Sequence, residues 1–175
     1  MTVAYRRAAE HDRRFVVYSW VKALKFEYSG GLIQMEDWRE VMTSQLAKIL
    51  SRPGVEVWVA YCPTETDHVA DLYGWLAVEH GHRLPLVHFM FVKTNYRGEG
   101  FARGLCAAAG FDPERPLLHT CMTATVRSMR QAGKLKNARW NPLIARHPKD
   151  QTNGGPQDHG QNRRKASTQA ERQHS

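Results

Sequence analysis

The sequence predicts an α/β protein whose sheet is mixed and mostly antiparallel. Three observations carry that prediction. Up to residue 50, apolar residues recur at helical spacing in two segments. From residue 55 to residue 93, three runs rich in β-branched and aromatic residues follow one another with short connections, as antiparallel strands do. From residue 94 onward a glycine-containing turn, a helix, a strand and a second helix alternate, which completes the element order of an α/β protein.

The elements follow in order. Residues 3–8 (VAYRRA) read as a short first strand. Residues 13–26 set Phe15, Tyr18, Val21 and Leu24 or Lys25 on a helical spacing, and Gly30-Gly31 stops the helix. A second helix is predicted over residues 34–50, with Trp38, Val41, Met42, Gln45, Leu46 and Ile49 as its stripe and Pro53-Gly54 as its end. Core packing is the expected role of Trp20 and Trp38. Residues 55–62, 71–79 and 86–93 read as strands. The third is nearly all apolar and is expected to be a central strand covered on both faces. His80-Gly81-His82 has the composition of an exposed turn, and no metal is assigned to it. Gly98 and Gly100 open a third helix that runs to residue 109, where Gly110 stops it. Residues 116–124 read as a strand, 126–134 as a helix, and 138–146 as a last strand weakened by Pro142.

A chain of 175 residues with 42% hydrophobic and 24% charged residues fits one domain of ordinary size. No stretch of about 18 apolar residues is present, so no membrane span is expected. The opening MTVAYRRAAEHDRRF has charges where a signal peptide needs its apolar stretch. Three cysteines, Cys62, Cys106 and Cys121, form no C-x-x-C pair and fit buried thiols in a reducing cytoplasm.

The formal charge of +8 is not spread evenly. Residues 1–126 hold 14 basic and 14 acidic residues, and residues 127–175 hold 11 and 3. A neutral domain with a basic end is expected rather than a fold built around nucleic acid. Residues 151–175 contain no Val, Ile, Leu, Met, Phe, Trp, Tyr or Cys. Such a stretch buries too little apolar surface to offset its ordering entropy, so residues 1–150 are read as the domain and 151–175 as a disordered tail.

The chemistry is concentrated between residues 92 and 104. A buried strand ends there, a glycine-rich turn follows and a helix begins. The first amides of a helix have no internal acceptor and sit at its positive end, and glycines let an anion approach the backbone. That makes a diphosphate cradle of main-chain donors. The spacing Arg97-Gly98-Glu99-Gly100-Phe101-Ala102 is not a dinucleotide fingerprint, because Arg103 stands where the third glycine belongs. A G-K-S/T nucleotide loop is absent as well.

The segment resembles the acyl-CoA-binding motif of the Gcn5-related N-acetyltransferase family, R/Q-x-x-G-x-G/A, which Arg97, Gly100 and Ala102 match. The strand before it, the helix after it and the element order over residues 3–146 are also similar to that fold. The resemblance implies a splay between the central strand and the strand after the motif helix. It implies that amides from Arg97 through Gly98, Glu99, Gly100 and Phe101 to Ala102 hold the pyrophosphate of acetyl-CoA. The main chain of Phe91, Val92 and Lys93 would pair with the pantetheine arm. It implies an N-acetyltransferase in which an amine attacks the thioester directly, with Tyr28 and Ser29 in the acceptor loop.

Family members often use a Tyr as acid after the splayed strand. Residues 122–136 contain none, and Ser128 and Cys121 are the available substitutes. Glu79, His88 and His119 are the candidate bases, since a carboxylate or a neutral imidazole accepts a proton near neutral pH. The expected acceptor is a small-molecule or protein amine. A non-catalytic acyl-CoA-binding module and a nucleic-acid-modifying enzyme using the basic C-terminal part stand as alternatives. The short C-terminal end also suggests an incomplete last hairpin, compatible with a monomer or with a homodimer that completes the edge.

Overall fold

A computed structural model describes residues 2–28, 32–63 and 72–144. The predicted tail, residues 151–175, lies outside the described residues. Six strands form one sheet in the order β1-β2-β3-β4-β5-β6. They are β1 (Ala4–Arg7), β2 (Val55–Tyr61), β3 (Leu72–Glu79), β4 (Leu86–Val92), β5 (Leu117–His119) and β6 (Ala138–Trp140). Helices α1 (Arg13–Tyr28) and α2 (Met35–Leu50) lie between β1 and β2. Helix α3 (Phe101–Ala108) connects β4 to β5, and α4 (Ala124–Gln131) connects β5 to β6.

Strands β1 to β4 pair antiparallel, whereas β4 with β5 and β5 with β6 pair parallel. The short connections force the first arrangement and the helical crossovers allow the second. The predicted α/β class, element order and mostly antiparallel sheet are those observed.

Two apolar layers sandwich the sheet. On one face Val16, Trp20 and Leu24 of α1 and Leu46 of α2 pack on Val59, Trp75, Ala77 and Phe89. On the other, Phe101, Leu105 and Cys106 of α3 pack on Ala60, Leu76 and Val78. Strand β3 serves both layers, and all eight of its residues are buried. The strand covered on both faces is thus β3 and not β4, whose last three residues are only half-buried. Helices α1 and α2 cover one face of β3 and α3 the other, while β4 runs beyond its neighbour β5. Trp20 is a core residue as expected, and half-buried Trp38 donates from Nε1 to Val21 O at 2.9 Å.

The last two strands are far shorter than their sequence suggests. Strand β5 was expected over 116–124 and ends at His119, because Thr123 caps α4 by accepting from Val126 N at 3.3 Å. Strand β6 ends at Trp140, two residues before Pro142, and pairs directly with β5.

Gly104 explains how α3 sits. A Cβ there would come within 2.0 Å of the Tyr5 hydroxyl, so the helix lies directly against β1 through the missing side chain.

Candidate active site

The site begins where β4 and β5 part. Their register pairs are Leu86 with Leu118 and Val87 with His119, and β4 then continues to Val92 alone. The main-chain bonds end with Leu118 N to Pro85 O at 2.9 Å and Thr120 N to Val87 O at 3.1 Å. Past that rung the Thr120 hydroxyl donates to His88 O at 3.1 Å. A register shift opposite Ala77 and Val78 inserts His88 into β4 as an extra residue.

That bulge decides which main-chain groups of β4 face the gap. Lys93 N donates to Tyr73 O at 2.9 Å. In an antiparallel ladder, paired and outward-facing residues alternate, so Phe91 and Phe89 also turn to β3. Met90 and Val92 turn toward the gap. Val92 O is met by Arg97 Nε at 3.2 Å, which leaves Met90 N–H and C=O and Val92 N–H facing it. Of the three residues expected on sequence at this edge, Phe91 and Lys93 turn main-chain groups to β3, while Val92, with Met90, turns them toward the gap.

The glycine turn stands at the same end of β4. Gly98 and Gly100 have φ of +91° and +83°, a region that suits glycine, and a Cβ on either would meet open space. Gly100 is the N-cap of α3, and the first intrahelical bond is Gly104 N to Gly100 O at 3.0 Å. The amides of Phe101, Ala102 and Arg103 therefore have no acceptor within the helix. Arg97 N is not part of this set, since it donates to Thr94 O at 3.3 Å. Arg97 instead braces the turn through its side chain. Arg97, Gly98, Glu99, Gly100 and Ala102 are exposed, while Phe101 anchors the turn in the core beside Tyr73.

The three candidate bases are all buried. Glu79 holds His88 Nε2 at 2.8 Å and His82 Nε2 at 3.0 Å, with Arg52 at 3.7 Å. Burial pushes the Glu79 carboxyl up, but the two imidazoles together outweigh it and hold it below its usual value. His82 was expected in an exposed turn; the structure draws it in toward Glu79. Burial pushes His88 down against the opposing pull of Glu79, and the net direction is down. Because the carboxylate accepts, His88 Nε2 carries the hydrogen and Nδ1 holds the lone pair, which is buried with no partner among the described residues.

His119 ends β5 at the last rung before the gap. Its Nδ1 lies 3.0 Å from Cys121 O, so Nδ1–H donates and Nε2 holds a buried lone pair with no partner among the described residues. Burial pushes its pKa down, the Cys121 carbonyl opposes this, and Arg130 adds to the lowering. Burial also raises the Cys121 thiol, which keeps its proton. Ser128 is exposed on α4.

Glu27 closes the same side. Both of its carboxylate oxygens accept from Ala124 N at 2.9 Å, which ties the end of α1 to the start of α4. Sequence gave no signal for this contact, since its partners are 97 residues apart. Ser29 and the Tyr28 side chain, expected at the acceptor, lie outside the described residues. Arg127, Arg130, Lys134, Lys136 and Arg139 are the exposed cations of the basic end within the described residues.

No protein-family model and no curated protein sequence matches this chain. Solved structures do resemble it. An acetyl transferase candidate from Pyrococcus furiosus aligns with a TM-score of 0.50 at 11% identity, covering 97% of this chain and 99% of that one. The PaiA N-acetyltransferase of Thermoplasma acidophilum, solved with coenzyme A, aligns at 0.43 and 14% identity over 62% of this chain and 70% of its own. AAC(6')-Iy, solved with the bisubstrate analogue CoA-S-monomethyl-acetylneamine, aligns at 0.41 and 11% identity over 81% and 80%. At such identities the likeness is one of fold. The mixed six-stranded sheet with flanking helices and a parted β4–β5 pair is that of the Gcn5-related N-acetyltransferase fold.

Proposed function

We propose that this protein is an acyl-CoA-dependent N-acyltransferase that moves an acetyl group from acetyl-CoA to an amine. The parting of β4 from β5 beside the amino end of α3 carries this reading. The outward main-chain groups of Met90 and Val92 suit an amide-bearing pantetheine arm laid along β4 as an added strand. The exposed turn from Gly98 to Gly100 and the first amides of α3 suit a diphosphate. The open space at both glycines leaves room for phosphate oxygens against the backbone. The likeness in fold to acetyltransferases supports the same class.

The thioester supplies an activated carbonyl, and the chain's own residues must manage the proton of the attacking amine. His119 suits the role of base. It is held neutral by burial, its tautomer is fixed by Cys121 O, and its bare Nε2 lies on the strand that borders the gap. His88 is the second candidate through Nδ1. Glu79 fits better as the group that fixes the His88 tautomer, since both of its oxygens are taken by imidazoles. Cys121 keeps its proton and is a candidate donor to the leaving sulfur.

Calorimetric titration of acetyl-CoA and free CoA tests the cofactor. Wild type should bind both in the micromolar range, and Gly100→Glu should abolish binding by putting a side chain and a negative charge in the cradle. Gly81→Glu is the control, because Gly81 also has positive φ (+98°) in open space but lies in the turn between β3 and β4. Failure of folded wild type to bind, or equal loss in both variants, overturns the reading. Binding without transfer to any amine in a panel would leave a non-catalytic acyl-CoA module.

A further inference from the structure

The seam between α1 and α2 forms an open groove on the outer surface, separate from the glycine turn and from the parted strands. Its rim carries Arg13, Arg14 and Lys22 from α1 and Arg39 from α2. Its floor is apolar, made by Val17, Val21 and Met35. Tyr18 stands beside the floor with 55% of its surface exposed. Among the described lining residues the one carboxylate is Glu10, which lies 3.9 Å from Arg13. Among the described residues, Arg14, Lys22 and Arg39 have no carboxylate in ion-pair reach. The described lining residues carry four cations against one anion, although residues 1–126 are neutral in total. The charge has been gathered here rather than spread.

We propose that this groove docks an acidic amphipathic segment of another protein, with aliphatic side chains on the floor and carboxylates against the rim. Four cations around one seam repel one another, and carboxylates on both flanks of a partner relieve that repulsion. Val17, Val21 and Met35 call for an aliphatic counterpart, which a helix with apolar residues at i, i+3, i+4 and i+7 supplies. Tyr18 offers the rigid amphipathic surface that recurs at protein contacts. A nucleic acid fits less well. Its sugar–phosphate backbone gives the aliphatic floor nothing to bury. The inference is independent of the acyltransferase reading.

The test uses fluorescence anisotropy with the full chain and a labelled 16-residue helical peptide, the length of α1. The peptide carries Leu on one face and Glu on both flanks. Controls are a scrambled peptide of the same composition and a single-stranded oligonucleotide of matching charge. Saturable binding of the amphipathic peptide is expected, weaker by at least about tenfold for the scrambled peptide and for Arg14→Glu/Arg39→Glu. Tyr18→Ala should also weaken it. All three residues are exposed, so the variants should keep the wild-type melting temperature and acetyl-CoA titration. If acetyl-CoA does not bind wild type, the acyltransferase reading fails while the peptide result still stands. No saturable peptide binding, equal binding of the scrambled peptide, or insensitivity to the arginine changes overturns the proposal. Tighter, arginine-dependent binding of the oligonucleotide overturns it in favour of a nucleic-acid surface.

Discussion

Replacing Glu79 by Gln removes one negative charge from a buried cluster while keeping shape. The carboxylate is 4% exposed and accepts from His88 at 2.8 Å and His82 at 3.0 Å, with Arg52 3.7 Å away. Gln keeps one acceptor oxygen but turns an N–H₂ toward the other imidazole. The Arg52 charge then loses its counter-ion, although its side chain, 17% exposed, still reaches water. Charge-assisted bonds at a buried site with such partial relief imply a loss of about 2 kcal/mol at pH 7. The pH dependence has a definite sign. A carboxyl held below its unfolded pKa stabilises the fold above that value and loses this as pH falls through the folded pKa. His88, also held down from 6.5, stabilises the fold above its unfolded value and loses this as pH falls below it. Both groups therefore make wild type weaker in acid. His88 titrates in both proteins and is held lower still once the carboxylate that pulls it up is gone, so the gap to Glu79→Gln should persist down to the ordinary carboxyl value of 4.5 and narrow only below it, as Glu79 itself takes up a proton. Urea denaturation at several pH values measures this. A loss under about 0.5 kcal/mol at pH 7, or a gap that fails to narrow below pH 4.5, would refute the reasoning.

Three further outcomes are expected. Gly104→Ala should cost about 1–3 kcal/mol in thermal melts, since the new methyl meets the Tyr5 ring, and Tyr5→Leu should recover part of that loss. Glu27→Ala should cost about 1 kcal/mol by leaving Ala124 N unpaired at the positive end of α4. Thr123→Ala serves the same helix end, so urea titrations of the pair should show less than additive loss. Cys106, 2% exposed and with its pKa pushed up to about 12 by burial, should resist alkylation at pH 8, while half-buried Cys62 reacts; mass spectrometry of the labelled chain reads this directly, and fast labelling of Cys106 would contradict the packing of α3.

Some of this protein was legible in one dimension because its causes are local. Helical spacing, β-branched runs and the Gly98–Gly100 turn follow from backbone sterics and from burial of one face, and both act over a few residues. The element order and the placement of the motif between β4 and α3 followed from them. Tertiary structure decided the rest. Strand β3, not the more apolar β4, became the strand sheathed on both faces, because coverage depends on where helices pack and not on composition. The bulge at His88 turned Met90 rather than Phe91 to the gap, a parity that no local pattern announces. Gly104 makes room for Tyr5, 99 residues away in sequence. Glu79, His82, His88 and Arg52 meet only when β3 and β4 turn back beside the end of α2. Sequence determined which groups exist and which segments carry them; the folded chain alone determined which share a buried space, because burial and charge pairing depend on distance in space.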